Sequence, residues 1–336
     1  MSSGNALTDV GPQSIPIATV TSSTYLRQTL IMIWSVALSR ASDSHYHFYL
    51  LHNTLNQDDQ CWLTARTRML DCCEIDFVDV RKWQRDNALE ENNWDGKIPC
   101  LSLLCPYILP EEEKILMLDG DLVAQRDVAE LFQTDLNGAY IGAVYDLDFI
   151  GQWRRGNCKY HRYYTQQVPL PKPSEYMQSG VLLADLRALR ENYPPLFFYI
   201  KATGKRFQYD DQDILNLYCA NHFMKLDYKW NVVHDNNHYR IRYIMQFAPK
   251  KEFNAYLASR ETPYIVHYAG DEKPWNSKGC DLYDCYWNIV RQTPFASEYS
   301  EPFGTAVQPW KHRLKTCLHE AVRIADRVRL RSKSTE

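Results

Sequence analysis

Asp119-Gly120-Asp121 closes the apolar run Ile115-Leu116-Met117-Leu118. In an extended chain, residues two apart share one face, so both carboxylates would aim at one spot at a strand's carboxyl end. Open α/β sheets bind their ligands there. Gly120 leaves room for phosphates to approach the backbone. Two carboxylates so placed suit a hard divalent cation shared with a diphosphate, although a plain strand-ending turn uses the same residue types. His267 ends a second apolar run, Tyr264-Ile265-Val266, and is followed by Gly270 and Lys273. A glycine there lets backbone N–H groups face a phosphate, and a lysine neutralises it as a point charge. One imidazole with two carboxylates suits Mn²⁺ better than Ca²⁺, with Mg²⁺ as the alternative.

A third polar cluster, Tyr209-Asp210-Asp211-Gln212-Asp213, precedes Ile214-Leu215-Asn216. Aspartates cap a helix and favour its dipole, but three carboxylates and an amide exceed what a cap needs and could hold several sugar hydroxyls. Gln178-Ser179-Gly180 stands before the apolar Val181-Leu182-Leu183, and Asp146 follows Val144-Tyr145. Taken alone, each of these is explained by a turn next to a core strand.

Apolar runs at Ile15–Thr19, His47–Leu51, Ile75–Val80 and Ile115–Leu118 alternate with helical patterns over Tyr25–Leu38 and Cys61–Asp71. That order predicts an α/β fold with a mostly parallel central sheet. Ser22-Ser23-Thr24 offer N-cap chemistry for the first helix. Arg81 to Ile98 reads as a polar loop, Leu101–Leu109 as a helix, and Phe149 to Tyr176 as a solvated loop. Further strands are expected at Tyr140–Val144, Val181–Leu183 and Tyr264–Tyr268, with a helix over Ile214–Ala220. The chain of 336 residues divides into a disordered lead-in over 1–13, one composite domain over 14–295 and a tail over 296–336.

The formal net charge of -3 offers no global basic surface, which argues against nucleic acid as a partner. Ten cysteines without zinc spacing read as reduced thiols in a cytoplasmic protein. Residues 311–333 hold eight Lys or Arg against two acids. Trp310, Leu314, Cys317, Leu318, Ala321, Val322, Ala325 and Val328 recur there at helical spacing. Such a basic amphipathic helix either packs on the domain or lies in the interface of an anionic membrane.

In this order, Leu118-Asp119-Gly120-Asp121, Gln178-Ser179-Gly180-Val181-Leu182-Leu183, Asp211-Gln212-Asp213-Ile214-Leu215-Asn216 and His267-Tyr268-Ala269-Gly270 with Lys273-Pro274-Trp275 resemble glycosyltransferase family 8. The likeness runs from about Ile15 to Phe295 and is nearest to the bacterial lipopolysaccharide galactosyl- and glucosyltransferases. It implies a nucleotide-sugar-binding fold of the GT-A type, an Mn²⁺-dependent reaction, a UDP-hexose donor (galactose or glucose) and retention of anomeric configuration. By position, Asp119, Asp121 and His267 would ligate the metal, while Gly270 and Lys273 would contact the diphosphate. Val20, Thr21, Ser22, Thr24 and Tyr25 would form the nucleoside loop, with Tyr25 on uracil. Asp146, Gln178, Asp211 and Gln212 would meet the donor sugar, Gln212 beside the anomeric carbon.

There are departures from the family pattern. Ser22 and Thr24 replace an acid and an asparagine common near uridine, Leu101 or Ser102 stands where an arginine usually reaches the donor, and Gln178 replaces an asparagine. The acceptors of related bacterial enzymes imply a saccharide or lipid-linked saccharide here, and peripheral placement on the cytoplasmic face of the inner membrane through 310–333. A non-catalytic carbohydrate-binding relative, a self-glucosylating relative and a metal-dependent nucleotidyltransferase are the competing readings.

Overall fold

The structure, a computed structural model, describes residues 14–41, 43–89, 97–156 and 159–303, without the side chains of 243–246. The lead-in over 1–13 and the amphipathic helix expected over 310–333 lie outside the described residues.

Among the described residues seven strands form the main sheet: β1 (Ser14–Val20), β2 (His45–His52), β3 (Cys73–Asp79), β4 (Lys114–Leu118), β6 (Ile141–Ala143), β7 (Val181–Asp185) and β8 (Phe223–Lys225). A three-residue strand, β5 (Leu122–Ala124), leaves that sheet. The remaining strands are β9 (Val232–Val233) and β10 (Ile265–His267). The main sheet runs β3-β2-β1-β4-β7-β6-β8, and a small sheet runs β5-β10-β9. In the main sheet β7 alone is antiparallel, to both β4 and β6; the other pairings are parallel. The expected mixed, mostly parallel sheet is present.

The helix Leu26–Leu38 is apolar on nearly every side, with Leu30, Ile31, Met32 and Ile33 fully buried. Such a helix needs cover all round. It packs against β5, the helix Gln57–Thr67 and the helix Tyr283–Gln292. It begins without a side-chain cap at Tyr25, because the Ser22 and Thr24 hydroxyls bond each other at 3.0 Å and Ser23 Oγ donates to Asp59. The expected N-cap is therefore replaced by tertiary burial.

Other elements differ from expectation for local reasons. The second helix is Gln57–Thr67, four residues early, because Asn56 and Asp59 form a reciprocal capping box. A short helix, Val80–Asp86, opens the segment read as a loop, and the Asp79 carboxylate caps it. A 3₁₀ stretch, Ile98–Leu104, leads into the short helix Cys105–Ile108 in place of one longer helix. Phe149–Tyr176 is no plain solvated loop. The helix Leu147–Arg154 opens it, a π-helical turn covers Tyr163–Gln167, and Tyr164 and Tyr176 are buried. Phe149 stacks on Tyr176 at 3.5 Å between centroids. Beyond Phe295, Glu298 pairs with Arg66 and Tyr299 Oη donates to Arg27 O, so the chain stays on the domain through that stretch.

No helix among the described residues is long and apolar enough to cross a membrane. All eight described cysteines are free thiols.

Candidate active site

The aspartate pair spans the step between the two sheets. Asp119 N donates to Gly180 O, extending the β4–β7 ladder one residue past Leu118. Asp121 immediately precedes β5, where Leu122 pairs with His267 of β10, and Tyr268 N donates to Asp121 O. The carboxylates therefore converge on His267 because the chain crosses from one sheet to the other. The expected cause, two residues on one face of a single strand, is corrected. A turn between β4 and β5 holds both, and the β5–β10 register selects the histidine.

His267 Nε2 lies 3.2 Å from Asp121 Oδ1 and 3.5 Å from Asp119 Oδ2. One ligand atom from each of the three groups lies within 4.8 Å of the others. Asn231 fixes the imidazole. Its Nδ2 donates to Gln178 Oε1, so its Oδ1 accepts from His267 Nδ1 at 3.1 Å. With the proton on Nδ1, the Nε2 lone pair faces the carboxylates, which is how a histidine is oriented for a metal. Two hard oxygens and one imidazole fit a divalent cation of the Mn²⁺ or Mg²⁺ kind.

Gly180 makes room for this arrangement: a Cβ on it would fall 2.1 Å from His267 Cε1 and 2.8 Å from Asp119 Oδ2. Gly120 is small for another reason, since its Cβ would meet Thr29 Oγ1 at 2.9 Å. Gly270 has φ +109 and lies against Asn236, so glycine is required there by conformation and packing.

Burial pushes the Asp119 carboxyl up to about 6, with Asp121 adding to the effect while His267 and Lys273 oppose it. Half of its side-chain surface opens to the cleft, yet it sits deep within the protein volume. For Asp121 the burial cost is outweighed by His267 and Lys273, which hold it well below the usual carboxylate range. Lys273 Nζ donates to Asp121 Oδ2 at 2.5 Å and to Tyr268 O at 2.6 Å.

A cleft with room for about 390 Å³ opens above the pair, lined by Val20, Thr21, Ser22, Thr24, Tyr25, Ile98, Pro99, Asp119, Gly120, Asp121 and Asp211. The β1 loop expected to hold a nucleoside thus borders the metal-capable cluster. Tyr25 meets Trp275 edge to face at 5.9 Å. The Thr21 hydroxyl turns away to Thr29 at 2.8 Å, so that residue lines the cleft with its side chain already engaged. Leu101 is fully buried and Ser102 Oγ donates to Pro99 O, so neither supplies an arginine-like fork.

Gln178 and Asp146 line a second, narrower cavity beside the cleft, with Arg240 and Tyr256. Gln178 Oε1 is taken up by Gly180 N and Asn231, so this side chain holds the histidine's support. Gln212 ties Asp146 to the Gln178–Gly180 turn: Nε2 donates to Asp146 Oδ2 at 3.0 Å and Oε1 accepts from Ser179 N at 3.0 Å. Burial, then the charge of Asp119, raises Asp211 to about 7. An acid raised this way favours the fold while protonated, and that contribution fades as pH climbs from its unfolded value of about 4 through 7. Metal-free wild type should therefore lose stability relative to Asp211→Asn across that window. Urea denaturation of both at the two ends would show it, and parallel pH profiles would contradict it.

Sequence reasoning missed two contributors. Asn231 gave no local signal. Arg240, whose Nε bonds Asp148 and whose Nη1 bonds His234 O and Ala269 O, comes from a stretch with no marked pattern. Asp213, one of the three carboxylates expected to hold sugar hydroxyls, is instead fully buried and accepts from Tyr164 Oη at 3.0 Å and Tyr176 Oη at 2.5 Å, anchoring the segment that carries Asp211 and Gln212. The tyrosine-rich composition of 160–176 was the available hint.

The model of glycosyl transferase family 8 matches residues 16–279. A probable glycosyl transferase, Gly, of Streptococcus gordonii is 27% identical over 265 residues, covering 78% of this chain and 33% of that protein. A lipopolysaccharide 1,2-glucosyltransferase of Escherichia coli is 27% identical over 235 residues, covering 68% of this chain and 63% of that protein. The chain thus spans about a third of the first and under two thirds of the second. Among solved structures, the bifunctional glycosyltransferase WbbM superposes with a TM-score of 0.72 at 22% identity, over 87% of this chain and 52% of that one. The galactosyltransferase LgtC in complex with donor and acceptor sugar analogs gives 0.62 at 21%, over 89% and 99%. At such identities the likeness is one of fold, the GT-A type. Since the family match spans most of β1, both aspartates, the Gln178–Gly180 turn, the Asp211–Asn216 segment and His267, this chain belongs to glycosyl transferase family 8.

Proposed function

We propose that the chain is a retaining hexosyltransferase that moves galactose or glucose from a UDP-sugar to a saccharide acceptor with Mn²⁺ bound by Asp119, Asp121 and His267. The observation that carries this reading is the convergence of these three side chains on the border of the cleft formed by Val20–Tyr25. Mn²⁺ there would act as a Lewis acid on the diphosphate, the charge that makes UDP a poor leaving group.

The protein's own groups have separable tasks. Lys273, now on Asp121, is within reach of the same negative charge and would stabilise the departing diphosphate. Asp211, in the cleft wall, and Asp146, held by Phe149 N and Gln212, offer acceptors to hexose hydroxyls. Retention needs either a covalent intermediate or attack from the leaving-group face. Gln212 is a neutral amide whose carbonyl oxygen already accepts from Ser179 N. A weak nucleophile so engaged favours front-face attack, with Gln212 and Asp211 steadying an oxocarbenium-like centre. The narrow cavity lined by Asp146, Arg240 and Tyr256 adjoins this point and suits an acceptor hydroxyl group.

A panel of UDP-, GDP- and CMP-sugars incubated with protein and Mn²⁺ tests the reading. Hydrolysis of UDP-galactose or UDP-glucose should exceed that of the other nucleotides by at least about tenfold, as one or two lost base contacts imply. Preference for a GDP- or CMP-sugar would overturn the donor assignment. Metal binding with no turnover of any donor would favour the non-catalytic relative.

A further inference from the structure

Beside the cleft, and sharing none of its three metal-capable side chains, His234, Glu272 and Cys280 form a second cluster whose ligand atoms lie within 4.8 Å of one another. His234 follows β9 and is fully buried, and Cys280 is buried too. His234 Nε2 lies 3.0 Å from Ala269 O, a carbonyl that can only accept, so the ring proton sits on Nε2. The Nδ1 lone pair therefore points at Cys280 Sγ, 3.5 Å away. With metal–sulfur and metal–nitrogen bonds of about 2.3 and 2.05 Å, the tetrahedral S···N edge of a zinc site is about 3.6 Å. The observed 3.5 Å, which a Cys280 S–H···Nδ1 hydrogen bond spans in the metal-free protein, is close to that edge.

The third group is oriented as well. Glu272 Oε2 accepts from Asn237 N at 2.9 Å and Oε1 from Ser277 Oγ at 3.1 Å, which leaves each oxygen a further lone pair. His234 and Glu272 thus each carry the outer hydrogen bond that fixes metal-binding side chains. A thiolate and a carboxylate together balance a dication, which the nearby cations Arg240 and Lys273 would otherwise oppose. Sulfur with imidazole and one oxygen selects Zn²⁺ over the harder Mn²⁺ or Mg²⁺.

We infer that His234, Glu272 and Cys280 form a separate Zn²⁺ site, with water in the fourth position and the thiol proton released on binding. Bound there, the ion ties the end of β9 to the 269–281 segment that carries Gly270 and Lys273. The site would brace that segment independently of the cation at Asp119 and Asp121.

The test uses full-length protein freed of metal by a chelator, saturated with Mn²⁺ and then titrated with Co²⁺ as the coloured substitute for Zn²⁺. One equivalent of Co²⁺ should produce a thiolate-to-cobalt charge-transfer band with the strong visible absorption of tetrahedral geometry, and Zn²⁺ should bleach both. Cys280→Ser should lose the charge-transfer band, whereas Cys285→Ser should keep it. Glu272→Gln, which removes the charge at a half-buried position, should weaken Co²⁺ affinity at least about tenfold. Absence of the band in wild type, its persistence in Cys280→Ser, or unchanged affinity in Glu272→Gln would each overturn the site.

Discussion

Asp121→Ala is expected to lower Mn²⁺-dependent turnover by about 10³-fold or more, with the fold retained. A metal acting on a leaving diphosphate supplies several kcal/mol of charge stabilisation, and each 1.4 kcal/mol or so is tenfold in rate. Asp121 would contribute more than one of the three proposed ligands. It lies 3.2 Å from His267 Nε2 and bonds Lys273 Nζ at 2.5 Å, so its loss also frees the lysine from its place beside the cation. Lys273 keeps Tyr268 O as acceptor, and Asp121 sits at the cleft, so the structural cost is modest. Asp121→Asn separates charge from shape: it preserves the side-chain outline, yet should bind Mn²⁺ far more weakly by calorimetry. Full turnover of Asp121→Ala in chelator-treated buffer would remove the metal from the mechanism.

The three side chains of this cluster were legible in the residues, and the geometry that joins them was not. Asp-Gly-Asp after an apolar run and a histidine after another were sufficient to nominate the three ligands. What brings them together is β5, three residues with no readable period, whose existence depends on pairing with β10 more than a hundred residues away. The same holds for Asn231. Its role is set by contacts to Gln178 and His267, over sequence separations of 53 and 36 residues. Long apolar strands and the first helix were readable because burial imposes a pattern on many residues at once. Phe149–Tyr176 was misread because its aromatic and basic residues lack periodicity, although Tyr164 and Tyr176 bury themselves against Asp213. Gly180 looked like turn chemistry. Its actual constraint is the imidazole that fills the space where its Cβ would be.

Support for His267 also extends away from the cleft, to a buried ion pair whose disruption should produce the largest loss of stability. Arg260 Nη2 meets Asp281 Oδ2 at 2.6 Å, with side chains 0% and 2% exposed. The same carboxylate oxygen accepts from Asp235 N at 2.8 Å, while Arg260 Nη1 donates to Tyr256 Oη and Tyr256 Oη donates to Val233 O. The pair thereby clamps both ends of the segment from β9 to Asp235, directly beside the β10 strand that ends in His267. That segment needs a clamp, since Asn237 and His238 beyond it adopt positive φ values of 51 and 59, which non-glycine residues hold only under constraint. Arg260→Met would leave the Asp281 carboxylate buried without its counter-ion. Removing one partner of such a pair typically costs about 3–5 kcal/mol, against a total stability of roughly 5–15 kcal/mol. Replacing both, as Arg260→Met with Asp281→Leu, should cost less than the two single changes summed, because neither charge is then stranded. Urea denaturation of the four proteins measures the coupling directly. A loss below about 1 kcal/mol in Arg260→Met, the worth of an ordinary surface pair, would mean that water or a rearranged neighbour satisfies Asp281 and that the clamp is not what holds β9 against the site.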